Sequence, residues 1–194
     1  MDLLGFLRAQ VRANRLANHR LHAAMAELSR EDFHAARTSF FPSLAATLNH
    51  ILSVDTYYLA ALHTEADMKW QWSTMRPLDT LAELAQAQAR CDERFIRLME
   101  SLSAAQLDHV IDMDRGDHVQ RERRVHVIAH LLNHQVHHRG QVHAMLAGTS
   151  IVPPQLDEFL MPSEAHLRIA DVSALGWTEA DVFGQPQAAA HAPR

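Results

Sequence analysis

The chain contains long stretches without glycine or proline, the two residues that most often interrupt helices and mark turns. Only 6 glycines and 7 prolines occur among its 194 residues. Within these stretches apolar residues recur at three- and four-residue spacings, which is the pattern of a helix that buries one face. The sequence therefore predicts a mainly helical protein rather than one built from many short strands.

Four segments predict long helices. The third opens at Thr80 and Glu83, which match a capping box, and Gly148 follows the fourth, where a glycine commonly ends a helix. The approximate bounds are residues 3–28, 39 or 42 to 65, 80–102 and 121–147. Four long helices, with a long connection between the third and the fourth, predict an all-α fold: a four-helix bundle with a long crossover.

The remaining segments of this region predict connections. Residues 29–37 are polar and fit a loop or a short helix, and residues 66–78 fit a connection. Residues 107–124 alternate apolar and polar side chains around Gly116. This alternation favours a short hairpin or an irregular crossover.

Length and composition fit one globular domain with a sizeable core. The hydrophobic fraction is 47% and the charged fraction is 21%, which excludes intrinsic disorder for most of the chain. Beyond about Ala170 the residues become small and polar. We therefore expect a bundle domain over residues 1–165 and a loosely packed C-terminal extension over residues 166–194.

Charge, cysteine content and hydropathy exclude several classes of protein. Lysine and arginine number 18 against 23 acidic side chains, so the net charge of −5 provides no basic surface for nucleic acid. Cys91 is the single cysteine and cannot form an intramolecular disulfide. No apolar run is long enough to cross a bilayer, and the N-terminal segment does not resemble a secretion signal. We expect a cytoplasmic protein that binds neither nucleic acid nor membranes.

Histidine is the most unusual part of the composition. The chain has 15 histidines, and four of those in the fourth helix step by four residues: His126, His130, His134 and His138. Each step places neighbours on one helical face about 6 Å apart along the axis. An adjacent pair could therefore bind one metal ion through imidazole nitrogens. The alternative is that these rings cover a solvated face.

The apolar face of the fourth helix selects among these histidines. Apolar residues at helical spacing mark that face: Val127, Leu131, Val142 and Met145. His134 and His138 fill the gap in this stripe, whereas His126 and His137 lie away from it. Gly140 costs a helix about 1 kcal/mol relative to alanine. Its presence indicates a close backbone approach, space beside His138, or tight helix packing without a ligand.

Two imidazoles hold a metal ion weakly, so a third ligand should come from a facing helix. His50 lies in the apolar stretch 44–52 of the second helix, where a buried ring needs a partner. A buried histidine of this kind is more often a core residue than a ligand. The other candidates are His19 and His22 on the first helix and His63 on the second.

Three stretches resemble the motifs of the DinB family of damage-inducible proteins, a helical metal-binding family distinct from the DNA polymerase of the same name. The most specific is LLNHQVHHRGQVHAML at residues 131–146, followed by PPQLD at residues 153–157. Residues 48–58 resemble its second-helix motif, and residues 13–21 resemble its first-helix motif. The resemblance spans roughly residues 3–160.

The resemblance implies a DinB/YfiT-like four-helix bundle, usually a homodimer, in which three histidines hold a divalent metal ion. Carried over to this sequence, the ligands are His50, His134 and His138. Leu16 and Tyr58 stand where the family commonly has tryptophan. These departures leave the packing and the pocket lining open, but they do not touch the ligand positions.

A metal ion with three histidine ligands keeps an open coordination position. Such an ion activates water, deprotonates a thiol or polarises a carbonyl group, so the site suits a hydrolase or a thiol transferase. Characterised relatives suggest the thiol-dependent reaction, with a small-molecule substrate such as a low-molecular-weight thiol. Zinc and nickel are the ions we expect. The alternatives are a non-catalytic metal-binding stress-response protein and a structural bundle with incidental histidines.

Three polar residues near the ligands have roles that the sequence leaves open. His130, one turn before His134, could be a fourth ligand or a general base. Gln141 could orient a ligand or water, or it could be an ordinary surface residue. Asp55 could support a ligand, pair with Arg139 or lie exposed on its helix.

Overall fold

The computed structural model describes residues 1–65 and 75–183 and is mainly helical. The helices in chain order are α1 (Leu3–Ala24), α2 (Arg30–His34), α3 (Leu44–Leu62), α4 (Leu81–Ser101), α5 (Arg124–Leu146), α6 (Ile169–Ala174) and α7 (Glu179–Phe183). The long helices α1, α3, α4 and α5 form a four-helix bundle. The predicted all-α class is therefore confirmed.

Capping side chains determine where the helices begin. The side chains of Asp2, Ser29 and Ser43 accept hydrogen bonds from backbone N–H groups in the first turns of α1, α2 and α3. At the start of α4, Thr80 and Glu83 make both hydrogen bonds of the predicted capping box. The long helices therefore lie where the sequence predicts them, with ends shifted by a few residues.

The connection between α4 and α5 contains a β-hairpin. Strands β1 (Val110–Asp114) and β2 (Val119–Arg123) pair antiparallel, and Gly116 has a φ of 98° in the turn between them. The hairpin alternative is thus confirmed. Helix α5 begins at Arg124 rather than at the predicted residue 121, because the backbone of the preceding residues pairs with β1.

The bundle core lies between two helix pairs. Helix α1 packs most extensively against α4, and α3 packs against α5. Each of these four helices contributes fully buried side chains to one core cluster, for example Leu21, Leu59, Met99 and Leu131. Positions halfway along α3 and α5 consequently face each other. Among the described residues, no helix combines the length and apolarity needed to cross a membrane.

The segment that follows the bundle packs on the outer face of α1. Phe159, Val172 and Val182 are buried against small and apolar side chains of α1, and Arg168 is fully buried with an ion pair to Glu179. Over residues 166–183 this packing is tighter than the loose packing predicted for the extension 166–194. A few apolar anchors and one paired arginine suffice to hold an otherwise polar segment.

Two predictions fall partly on residues that the structure does not describe. Of the predicted connection 66–78, residues 66–74 lie outside the described residues. Residues 184–194 of the predicted extension also lie outside them. The division of the chain at residue 165 stays a prediction.

Candidate metal centre

Three histidines converge between α3 and α5. His50 comes from the second turn of α3, and His134 and His138 come from successive turns of α5. One ring nitrogen from each histidine lies within 4.8 Å of the other two. The facing positions of α3 and α5 thus bring together the three residues that the sequence predicted as ligands.

The nitrogen positions suit a shared cation. Nε2 of His50 lies 3.0 Å from Nε2 of His134. Two nitrogens that each lie about 2.0–2.1 Å from one tetrahedral ion are about 3.3 Å apart, so little movement is needed. Without an ion the same separation permits a hydrogen bond between the two rings, in which one N–H donates to the lone pair of the other.

Burial keeps these imidazoles neutral. It lowers the pKa of His50 to about 4, assisted by the nearby His138. The pKa of His134 falls to about 3 because of burial first and the neighbouring His138 and His50 next. Burial also lowers the pKa of His138. At pH 7 each ring therefore has one lone pair, which is the form that binds a metal ion.

Gln141 orients one of the three rings. The Nδ1–H of His138 donates to Oε1 of Gln141 at 2.8 Å, and the Gln141 amide nitrogen lies 3.2 Å from Nε2 of His137. This bond leaves Nε2 of His138 as the nitrogen with a free lone pair. Nδ1 of His134 is buried without a hydrogen-bond partner among the described residues. The geometry agrees with a positioning role for Gln141, which stays a prediction.

An aromatic side chain that sequence reasoning missed covers one side of the cluster. The centroid of the Phe41 ring lies 4.3 Å from the centroid of the His50 ring and 5.6 Å from that of the His138 ring. Phe40 packs edge-on against Phe41 at 4.9 Å and is itself 79% exposed. The pair of aromatic residues before Pro42 was the available signal, but it belongs to no motif that predicts contact with histidine.

A cavity of about 510 Å³ opens beside His50. Its polar lining includes His34, Asn49, Arg76 and Asp79, and its apolar lining includes Met75 and Leu78. Asn49 anchors the wall, because its amide nitrogen donates to the Leu78 carbonyl and its oxygen accepts from the Leu78 N–H, at 2.9 and 2.8 Å. Space for a small molecule is therefore adjacent to one of the three histidines.

His130 is not part of the cluster. Its ring is exposed, lies 6.4 Å from the ring of His134 and packs against Tyr58 at 5.1 Å. The group of convergent nitrogens in the described residues does not include it, so the geometry gives no support to a fourth ligand. The Tyr58 hydroxyl accepts a hydrogen bond from Arg115 at 2.9 Å.

The other candidate ligands lie elsewhere. His19 and His22 line a groove between α1 and α4, and His63 is exposed at the C-terminal end of α3. Gly140 is also exposed, and a Cβ atom placed on it would have no neighbour within 4 Å. The interpretation of Gly140 as a point of close backbone approach or tight packing is therefore wrong.

Asp55 is buried rather than exposed, and its hydrogen-bond partners are amides. Its Oδ2 accepts from Gln88 at 2.7 Å and also from Gln135. Arg139 reaches the same Gln135 through the opposite end of that amide, at 3.4 Å. The predicted Asp55–Arg139 pair is thus bridged by Gln135, and no direct hydrogen bond joins the Asp55 carboxyl group to the Arg139 guanidinium.

The fold and the cluster together define a class of protein: a four-helix bundle with three convergent histidines on two facing helices. The sequence matches the DinB family over residues 6–170, most of the chain, and the protein belongs to that family. The resemblance seen in its motifs is thereby confirmed. A comparison with curated proteins found no match.

Proposed function

We propose that this DinB-family protein is a divalent-metal enzyme that acts on small molecules by thiol-dependent S-transfer or by hydrolysis. The observation that carries the proposal is the convergence of three neutral imidazoles between α3 and α5. A cavity of about 510 Å³ beside His50 suits a small-molecule substrate. We propose zinc or nickel as the ion, because both accept nitrogen ligands and open coordination.

His50, His134 and His138 would hold the ion. A divalent ion with three protein ligands has a position for water or a thiol and lowers the pKa of either. Gln141 keeps the His138 ring in the orientation that presents Nε2. Phe41 covers two of the rings and excludes bulk water from that side.

The cavity would bind the substrate. Asp79 forms an ion pair with Arg30, and its Oδ1 lies 3.3 Å from Nε2 of His34. Arg76 makes no ion pair among the described residues. Arg76 thus offers a positive charge to an anionic group such as a carboxylate. The apolar Met75 and Leu78 suit the remainder of a small molecule.

His130 is our candidate for proton transfer. Its exposed ring stands one helical turn from His134 and faces the Tyr58 ring. A histidine that is outside the ligand set and open to solvent is free to accept a proton from bound water or thiol. A homodimer also belongs to the proposal, on the strength of family membership, and light scattering on the purified protein would measure the subunit number.

Metal analysis of protein purified without a polyhistidine tag tests the site. We expect about one equivalent of divalent metal per chain after purification, since neutral histidine clusters bind such ions tightly at pH 7. Less than about a tenth of an equivalent, together with no binding on titration with zinc or nickel, would favour a structural bundle.

Activity measurements separate an enzyme from a metal-binding protein without turnover. Metal-loaded protein is incubated with a thiol and a panel of electrophiles, and separately with hydrolysable esters and amides. We expect turnover that His134→Ala abolishes, while His126→Ala, an exposed residue on the same helix, retains it. Rates that His134→Ala leaves unchanged would contradict catalysis at this cluster.

A further inference from the structure

Behind the histidine cluster, the bundle interior holds a group of polar side chains contributed by all four long helices. We call it the polar ring: Asn14, Asn18, Asp55, Gln88, Asp92, Gln135 and Arg139. None of them is more than 6% exposed. Polar side chains at such depth cost stability unless hydrogen bonds replace water, so this concentration needs an explanation.

Hydrogen bonds join six of these side chains into a closed circuit. On one side, Gln88 donates to Asp55 at 2.7 Å and to Asp92 at 3.1 Å. Asn18 continues the circuit by donating to both oxygens of the Asp92 carboxylate, at 3.0 and 3.1 Å.

Arg139 closes the other side of the circuit. Its guanidinium donates to the Asn18 oxygen at 2.9 Å and to the Gln135 oxygen at 3.4 Å, and Gln135 in turn donates to Asp55. Arg139 also donates to Asn14. The circuit therefore ties α1, α3, α4 and α5 together at one level of the bundle.

The ring is connected to the histidine cluster through the backbone. Gln135 directly follows His134, and Arg139 directly follows His138. Successive residues of a helix point about 100° apart, so α5 presents one ligand and one ring member at each of these two steps. Asp55, the partner of Gln135, is on α3 together with His50.

The hydrogen bonds of the ring provide directional contacts between α5 and α3. Apolar packing is non-directional, whereas hydrogen bonds require aligned donors and acceptors. A ring nitrogen of a helical histidine lies about 6 Å from the helix axis, so a 20° rotation would move it about 2 Å. That displacement equals a whole metal–nitrogen bond length of about 2 Å.

The charges in the ring argue for a role other than simple stability. Burial raises the pKa of Asp55 well above its ordinary value and that of Asp92 to about 6. Buried polar and ionic groups are often no better for stability than apolar residues of the same volume. Their best-supported use is to select one register among several packed arrangements.

We propose that Gln135, anchored by Asp55 and Arg139, is a positioning residue that sets the ligand geometry of His134 and His138. The proposal rests on the metal site proposed above. The polar ring would thereby hold α5 at one rotation angle. Apolar packing is less directional and would tolerate a small rotation of α5 that moves the imidazoles of His134 and His138 out of position.

The test compares Gln135→Met with Leu131→Ala. Gln135→Met removes the hydrogen bonds of the side-chain amide and keeps a similar side-chain volume. Leu131→Ala shortens a fully buried apolar side chain of α5 that is not part of the polar ring. Metal affinity is measured by competition with a chelator, geometry by the absorption bands of bound Co²⁺, and stability by urea unfolding. We expect Gln135→Met to lower affinity at least about tenfold and to shift the Co²⁺ bands.

Leu131→Ala should be destabilised by about 2–5 kcal/mol and yet bind metal within about threefold of the wild type. Equal loss of affinity in both variants, or wild-type affinity and spectrum in Gln135→Met, would overturn the positioning role. Should Gln135→Met fail to fold, Asp55→Asn serves instead. An asparagine oxygen still accepts the Gln135 hydrogen bond, so we expect Asp55→Asn to bind metal more tightly than Asp55→Leu.

A metal-free measurement separates this proposal from the metal site itself. Long-range ¹H–¹⁵N spectra report the tautomers of His50 and His134, whose Nε2 atoms are 3.0 Å apart. We expect Gln135→Met to change these signals and Leu131→Ala to leave them. If the wild-type protein binds no metal, the metal function is refuted. If Gln135→Met nevertheless changes the histidine signals and Leu131→Ala does not, the positioning role is supported.

Discussion

The protein contains two polar clusters in one bundle, and they differ in the hydrogen-bond partners of their polar groups. In the polar ring, donors face acceptors from one helix to the next, and the side chains are almost completely buried. In the histidine cluster, nitrogens face nitrogens beside a cavity of about 510 Å³. Most donors and acceptors of the ring pair with one another, although Oδ1 of Asp55 has no hydrogen-bond partner among the described residues. The cluster instead brings together three imidazole nitrogens, an arrangement that suits a cation.

This difference distinguishes a structural cluster from a binding cluster. Buried polar groups that are paired with each other define a packing arrangement. Convergent groups of one kind, held neutral by burial and placed next to open space, are suited to an external ligand. The adjacent positions of Gln135 and His134 on α5 are the basis of our proposal that the first cluster positions the second.

The largest expected effect is the loss of metal after His138→Ala. Removal of one of three ligands should reduce bound metal from about one equivalent to below about a tenth, measured on dialysed, untagged protein. His126→Ala removes an exposed histidine from the same helix and should keep the full equivalent. Full retention by His138→Ala would show that the cluster does not hold the ion.

Disruption of the polar ring should instead lower stability. Arg139→Met leaves the buried side-chain oxygens of Asn14, Asn18 and Gln135 without their common donor, so we expect the free energy of unfolding to fall by about 3–5 kcal/mol. Urea unfolding at pH 7 in the presence of a chelator measures this. Arg121→Met breaks only an exposed ion pair with Asp112 and should cost less than about 1 kcal/mol. Equal free energies of unfolding for the two variants would show that the hydrogen bonds of Arg139 contribute no more to stability than an exposed ion pair.

The two clusters should also respond oppositely to pH. The pKa of Asp92 is raised to about 6, so its contribution to stability is complete below about pH 4 and is lost as the pH rises through 6. The pKa values of His50 and His134 are lowered to about 4 and 3, so the folded protein binds fewer protons than the unfolded chain and stability falls below about pH 6.5.

Asp92→Asn isolates the first of these opposing trends. Between pH 4 and 6 the stability of this variant should rise more steeply than that of the wild type, by up to about 3 kcal/mol over the interval. Urea unfolding at a series of pH values, in the presence of a chelator, measures the two slopes. Parallel slopes would mean that Asp92 titrates normally in the folded protein.

The smallest expected effect concerns a position outside both clusters. Gly140→Ala lies on the exposed face of α5 with free space for the methyl group, so it should raise stability by about 0.5–1 kcal/mol and leave metal affinity unchanged. Gly176 has a positive φ of 69°, and Gly176→Ala should therefore be destabilising. Thermal unfolding of both variants tests this, and a loss of metal binding in Gly140→Ala would give that glycine a role at the site.

Local sequence was sufficient to predict several elements. The capping box at Thr80, the turn at Gly116 and the four-residue spacing of His134 and His138 each depend on neighbours within one helical turn or one hairpin. The start of α5 was predicted too early, because residues 121–123 pair with β1 instead of continuing the helix. That pairing involves residues about ten positions away, beyond the reach of helical periodicity.

The chain by itself determined its long helices, the capping box that begins α4 and the pair of histidines on one face of α5, because each follows from contacts between residues close in sequence. Helical spacing left His50, His19, His22 and His63 as candidates for the third ligand, and the family resemblance pointed to His50; the tertiary structure places His50 beside the pair. It also decided that polar residues from four helices close into one ring. The physical reason is that distances across a bundle depend on how all the helices pack and rotate together, which no local pattern encodes.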